Sequence, residues 1–310
     1  MPNNLPQNSR GQSQGVRELS PEVIDQLARL LRQADHVLIA AGAGMSVDAG
    51  FDYANEASFV RRYPRLAARG VRCRYHTFGY PWPSEAVQWG HLARHLEELR
   101  FTPPPRPEPY RQLLALTGKT DRFVITSNAD DLFERSGFAK ERIWTRQGSY
   151  SRFQCLAPCG DQTWPTAPWV KQALPAVDPR SEELTDAALV PRCPRCGKAA
   201  MLNVRGGDWF VEAPYQPQGE RFGRWLRGAA GGRLLVLDVG SGFNTPVVIR
   251  WPAEEIAARH GDAFLVRINR FHPEVPARLG ERALGLSSTG AAVWEVLCAR
   301  ADQAPLRRAG

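Results

Sequence analysis

The stretch VLIAAGAGMSVDAG, residues 37–50, decides the architecture. Val37 to Ala41 run without a polar interruption, which marks a strand buried on both faces rather than one half-solvated. Gly42 and Gly44 follow at once, so the chain turns tightly as it leaves the strand. A buried strand, a glycine turn and a following helix bring backbone N–H groups close to a pyrophosphate in many α/β folds. This turn lacks the third glycine of the usual dinucleotide fingerprint, so alone it leaves a purely structural turn open.

Working outward, Ser20 followed by Pro21 opens a helix, with Val23, Ile24, Leu27, Leu30 and Leu31 on one face. Residues 51–106 are aromatic and irregular, with one helix expected over Glu85–Leu99 and a proline cluster leading into another over Tyr110–Leu116. Phe123–Ser127 reads as a second core strand, followed by a short helix that Gly137 caps, and Ile143–Thr145 as a third. Later come helices near Gln218–Arg227 and Ala253–His260, strands Leu234–Val239 and Ala263–Asn269, and a closing helix over Ser287–Arg300. The alternation predicts an α/β fold: a Rossmann-like, mostly parallel sheet with a smaller zinc-binding insert domain. The expected limits are a disordered lead at 1–17, the Rossmann-type domain at 18–149 and 208–300, the zinc module at 150–207 and a tail at 301–310. Within the Rossmann-type part, 52–106 is the helical or irregular insert.

Composition excludes several classes. The 310 residues carry a formal charge of +8, but the basic residues are scattered and no nucleic-acid-binding signature accompanies them, so nucleic acid is disfavoured as a partner. No apolar run reaches the roughly 20 residues a membrane span needs. The polar N-terminus lacks a signal segment, and the chain reads as cytoplasmic.

Cysteine usage agrees with a reducing compartment. Cys155-x3-Cys159 and Cys193-x2-Cys196 are two close pairs beside proline or glycine, the pattern of tetrahedral thiolate coordination of one zinc ion. Four thiolates leave no open position for water, so the role is structural. Cys73 and Cys298 read as buried, inert thiols. The strand end Thr126-Ser127-Asn128-Ala129-Asp130 lies where open α/β sheets bind ligands, although Asn and Asp there also serve as helix caps.

Taken in order, GAGMSVDAGF, TSNAD, QGS, the cysteine quartet, Gly240-Ser241-Gly242 and Ile268-Asn269 resemble the sirtuin family, over roughly residues 20–275. The departures are informative: Gln147 stands where most sirtuins place a histidine, and Phe51-Asp52-Tyr53 replaces Ile-Pro-x. TRQGSYSRFQC and GSGFNTPVVI look most like the macrodomain-linked, class M sirtuins. That resemblance implies a protein mono-ADP-ribosyltransferase that consumes NAD and acts on a protein acceptor, with a lipoyl-carrying relative of the glycine-cleavage H protein and a functional link to a macrodomain hydrolase. By the same resemblance Asn128, Asp130 and Gln147 are catalytic. Gly42, Ala43, Gly44, Ser46, Gly50, Ser127, Asn128, Asp130, Gly240, Ser241 and Asn269 bind the cofactor. Glutamine has no basic form at neutral pH, and loss of a general base forfeits about 10²- to 10⁴-fold. Deacylation should therefore suffer, while transfer to another nucleophile stays open. An NAD-dependent deacylase and an NAD hydrolase or sensor are the alternatives. Of the histidines, His76, His91, His95, His260 and His272 lie outside the motifs and read as core or surface residues.

Overall fold

The computed structural model describes residues 16–303, so most of the expected lead and tail lies outside the described residues. The ten strands are β1 Val16–Arg17, β2 His36–Ala41, β3 Asp121–Thr126, β4 Ile143–Thr145, β5 Gly148–Cys155, β6 Thr163–Pro165, β7 Ala200–Val204, β8 Leu234–Val239, β9 Ala263–Ile268 and β10 Ala283–Leu286. Helices α1 Pro21–Gln33, α2 Ala43–Asp48, α3 Glu56–Arg62, α4 Pro64–Ala68, α5 Glu85–Leu96 and α6 Glu108–Leu116 come before the third strand. After it come α7 Leu132–Arg135, α8 Ala167–Ala173, α9 Gln216–Gly228, α10 Arg250–Arg259 and α11 Gly290–Gln303.

Seven strands form one sheet in the order β1-β10-β9-β8-β2-β3-β4, and every pairing in it is parallel. Its central strands are largely apolar because both faces are covered, the buried Asp238–Arg267 pair of β8 and β9 being the exception. Val37, Ile39, Val124, Leu237 and Val266 face the layer that holds α1, α6 and α11, whereas Leu38, Ala40, Phe123, Val236 and Leu265 face α9 and α10. From β2 the chain moves outward to β3 and β4, then returns past β2 to build β8, β9 and β10 on the other side. The direction of winding thus reverses between β2 and β8, and a crevice opens at the carboxyl ends of such a pair.

Helix α1 begins as expected, with Ser20 Oγ accepting from the Val23 amide and Pro21 in the first turn. The 51–106 segment is more ordered than its sequence suggests. Asn55 caps α3 and Pro64 starts α4, but helices of seven and five residues are too short to display a 3.6-residue period. Helix α5 ends at Leu96, not Leu99, and a π-helical turn Glu97–Phe101 continues it. Val16 and Arg17, read above as the end of the lead, pair with β10. Strand β10 escapes periodicity because it is four residues with a central glycine.

The second sheet, β6-β5-β7, is antiparallel and carries the cysteines at one end. Trp89 of α5 and Trp169 of α8 clasp Phe153 of β5 edge-on, at 5.8 and 5.3 Å, and so seat this sheet against the helical segment. The outgoing and returning chain segments lie side by side at this junction, joined by the Arg205 amide donating to the Gln147 carbonyl at 2.9 Å.

At the β2–β8 reversal the two glycine turns touch backbone to backbone. A Cβ on Gly240 would sit 2.4 Å from the Gly44 Cα, and one on Gly42 would sit 2.5 Å from the Gly240 carbonyl oxygen. Gly240 also holds φ at +66°. Gly240→Ala should destabilise the fold by roughly 2 kcal/mol or more, since a left-handed φ and a backbone overlap act together. Chemical denaturation checks this, and an unchanged midpoint would show that the turns can separate freely.

Candidate functional site

The carboxyl ends of β2 and β3 are stitched into one polar unit. Thr126 Oγ1 donates to the Ala41 carbonyl at 3.0 Å and accepts from the Asn128 amide at 3.0 Å. The Ser127 amide donates to the same Ala41 carbonyl. Asn128 then reaches back across the sheet, its Nδ2 donating to the Gly42 carbonyl at 3.0 Å. In α2, Ser46 Oγ donates to Asp130 Oδ2 at 2.5 Å, and Asp130 Oδ1 accepts from the Leu132 amide. Asp130 therefore serves as a helix-starting acceptor and faces the unit as well. Burial raises its carboxyl to about 6 from an ordinary 3.8, although the Ser46 hydroxyl and the Leu132 amide both favour its charge.

Gly42, Ala43 and Gly44 form the start of α2. Part of the turn's donor capacity is already used, because the Gly44 amide donates to the Gly240 carbonyl at 3.1 Å. Beyond that contact lies the second unit. Asn269 Nδ2 donates to the Ser241 carbonyl at 2.8 Å, and its Oδ1 accepts from the Phe271 and His272 amides. Arg250 donates to the carbonyls of Ser241 and His272, and beneath it fully buried Arg267 pairs with Asp238 at 2.7 Å and Glu254 at 2.8 Å. Ser241 Oγ is buried beside Asp238 and makes no hydrogen bond of good geometry among the described residues. Gly50 stands apart: at φ +97° it ends α2 against Pro105 and joins neither unit.

Gln147 occupies the two-residue link from β4 to β5, and its Oε1 is buried with no hydrogen-bond partner among the described residues. Two residues on, Ser149 Oγ donates to Asp131 Oδ2 at 2.6 Å, and Arg100 Nε donates to the same oxygen at 2.8 Å. Asp131 adopts a left-handed φ of 56° and so ties the Asn128 turn to the strand that follows Gln147. A cleft of about 200 Å³ opens here, bounded by Asn128, Asp130, Asp131, Ser149 and Tyr215. Asp131 and Arg100 are absent from the sequence reading, and Tyr110, which lies beside Ser46 and Asn128, enters it only as the start of a helix. The only available signal for Asp131 was its place directly after the TSNAD strand end.

His91 and His95 are buried in α5, where burial, aided by the nearby Arg74, pushes the His91 imidazole down to about 3 and His95 in the same direction. Both are neutral core residues. Cys73 is buried as expected, whereas Cys298 is only half-buried.

The metal-ligating residues do come together. Cys155–Cys196 and Cys159–Cys193 sulfur separations are 3.7 and 3.6 Å, and all four sulfurs lie within 4.8 Å of one another. A tetrahedral zinc with Zn–S near 2.3 Å implies edges of about 3.8 Å, so the donor set fits that ion. Gly197, at φ +70°, closes the second knuckle, and the Cys193 amide donates to the Lys198 carbonyl.

No protein-family model matches the chain. It is 37% identical over 278 residues to a Fusarium oxysporum f. sp. cubense protein named "Probable bifunctional ADP-ribose hydrolase/ADP-ribosyltransferase", covering 87% of this chain and 46% of that one. The chain thus spans about half the length of that relative. It is 24% identical over 269 residues to a Staphylococcus aureus protein ADP-ribosyltransferase, covering 84% of this chain and 82% of that one. Among solved structures, a Sir2 homologue crystallised with NAD superposes with a TM-score of 0.56 at 16% identity, covering 90% of this chain and 94% of that one. Among the described residues no helix is long and apolar enough to cross a membrane.

Two outcomes follow from this geometry. Cys193→Ser should lower bound zinc from roughly one ion per chain to near zero and reduce the melting temperature by several degrees, read by elemental analysis and scanning fluorimetry. Retained metal with an unchanged melt would remove the assignment. For Asp130 the raised pKa sets the sign: between about pH 4 and pH 6 the unfolded chain gives up this proton before the folded one does. Stability therefore falls as pH rises through that window, by about 3 kcal/mol for a shift of this size. Asp130→Asn should melt above the wild type at pH 7.5, with the gap closing towards pH 4. A gap independent of pH would mean that the carboxyl titrates normally.

Proposed function

We propose, proceeding from the Sir2 fold, that this chain is an NAD-dependent protein mono-ADP-ribosyltransferase of the sirtuin type, closest in character to the class M enzymes. The observation that carries the reading is Gln147: a non-titrating carboxamide with a buried, unengaged oxygen stands at the crossing of the two sheets, next to Arg146, whose amide donates to the Thr126 carbonyl at the end of β3. The glycine turns support it, because they keep side chains out of the β2–β8 reversal, the place where open α/β sheets take a dinucleotide. The named activities of the Fusarium and Staphylococcus relatives agree with it.

In this reading Gly42, Ala43, Gly44 and Ser46 receive the pyrophosphate, and Gly240, Ser241 and Asn269 the adenosine half. Ser241 Oγ, which faces Asp238, supplies a hydroxyl there. Ser127 sets the backbone from which Asn128 orients the nicotinamide ribose, and Asp130 holds the carboxamide. NAD, when bound, supplies the leaving group and the electrophilic ribose carbon. Gln147 positions a ribose hydroxyl or the incoming acceptor by donating and accepting hydrogen bonds, and takes no proton. The zinc site has a structural role, at the far end of the strand that begins beside Gln147. Gly50 shapes the end of α2 and acts on the cofactor only through that turn.

The acceptor in this reading is a protein, with a lipoyl carrier as the first candidate, and a macrodomain hydrolase removes the mark. The hydrolase named in the Fusarium relative supports that pairing. Four reduced thiols suit a cytoplasmic setting.

Purified protein incubated with labelled NAD and a lipoylated carrier should release nicotinamide and label the carrier. An acyl-lysine peptide should yield no O-acyl-ADP-ribose. Asn128→Ala should slow nicotinamide release by about 100-fold or more while the melting temperature stays within a few degrees. Ready turnover of the acyl peptide would overturn the transferase reading, and wild-type release in the variant would take Asn128 out of the chemistry.

A further inference from the structure

Tyr110 sits in the first turn of α6 and is fully buried. Its ring stands edge-on to Phe133 of α7 at 4.9 Å, so packing fixes the side chain. Its hydroxyl lies beside Ser46, Asn128 and Asp130, the groups that make up the polar unit of the site. Among the described residues it nevertheless makes no hydrogen bond of good geometry. An unsatisfied buried hydroxyl is a cost that phenylalanine, with the same edge-on contact, would avoid.

The neighbouring groups have complementary needs. Asn128 Nδ2 carries two hydrogens, and the Gly42 carbonyl takes one of them. Ser46 Oγ has committed its proton to Asp130 and retains only lone pairs. A phenol between them can accept from the first and donate to the second. Burial raises Tyr110 well above the usual phenol range, so its proton stays in place.

We propose that Tyr110 is a positioning residue: it completes a donor chain Asn128 Nδ2 to Tyr110 Oη to Ser46 Oγ to Asp130 Oδ2. Small rotations of the phenol and the amide, within their present contacts, close the two outer links. With both Nδ2 hydrogens engaged, the amide nitrogen of Asn128 is held inward and its Oδ1 is the end presented to the cleft. Each bond polarises the next, so the chain also couples the amide to the buried carboxylate. The catalytic consequence rests on the NAD-cleaving reading given above; the hydrogen-bond chain itself does not.

Tyr110→Phe in the full-length protein tests both parts. Its melting temperature should stay within a few degrees of the wild type, because the two lost links are partly offset by removal of a buried polar group. In the ligand-free protein, the Asn128 side-chain amide signals, assigned by their loss in Asn128→Ala, should exchange faster with solvent. Nicotinamide release should fall about tenfold to a hundredfold in kcat, with the Kd for NAD within about twofold. Ser46→Ala, which cuts the next link, should reproduce the faster exchange. Unchanged exchange of the Asn128 amide in both variants overturns the proposal, as does wild-type kcat in Tyr110→Phe. A wild-type protein inert towards NAD, with exchange still accelerated by Tyr110→Phe, would sink the functional reading alone.

Discussion

The contact between the backbones of Gly44 and Gly240 is the constraint on which the site depends. Two turns leave adjacent parallel strands in opposite winding directions, and here they meet with no side chain between them. Any side chain would wedge β2 and β8 apart at their carboxyl ends, where the crevice must keep its shape. The Gly44 amide to Gly240 carbonyl bond then makes the two halves of the sheet one rigid rim. Asn128 is referred to that rim through the Gly42 carbonyl, and Asn269 through the Ser241 carbonyl. The two polar units therefore share one frame.

Charge burial is the second theme. Asp130 and Asp238 are both fully enclosed, and both are driven towards the neutral form by desolvation. Their partners differ. Asp238 faces the guanidinium of Arg267, which with Arg250 fastens the loops around the second polar unit. Asp130 has one hydroxyl and one amide bonded to it and only the through-space pull of Arg135, so burial prevails and its pKa lies close to neutrality. A carboxyl so balanced suits a ligand-facing position better than a structural one.

The parts of this organisation that were legible in the sequence have a common cause. Strands β2, β3, β8 and β9 are largely apolar on both faces, so composition alone marks them. The cysteine quartet is legible because metal geometry constrains spacing. Helices α3 and α4 and strands β1 and β10 are too short to show a period. Tyr110, Asp131 and Arg100 are unreadable for another reason: what distinguishes them is a partner 18 to 64 residues away in sequence, which only folding supplies. Asn128 and Asp130 were recognisable through the resemblance, but the hydrogen bonds that bind them to Gly42 and Ser46 were not. Arg267 lies inside the expected strand Ala263–Asn269, and nothing in the sequence says that it is among the most enclosed side chains of the described residues.

The crossing between the two sheets has a mechanical consequence. Both chain segments pass at one place, bonded to each other at Gln147 and Arg205, and the Trp89–Phe153–Trp169 clasp grips the same sheet two residues short of the first cysteine. A panel fastened at its root and again near its tip has no hinge. The carboxamide at the root therefore keeps its address whatever load the outer end of the sheet carries.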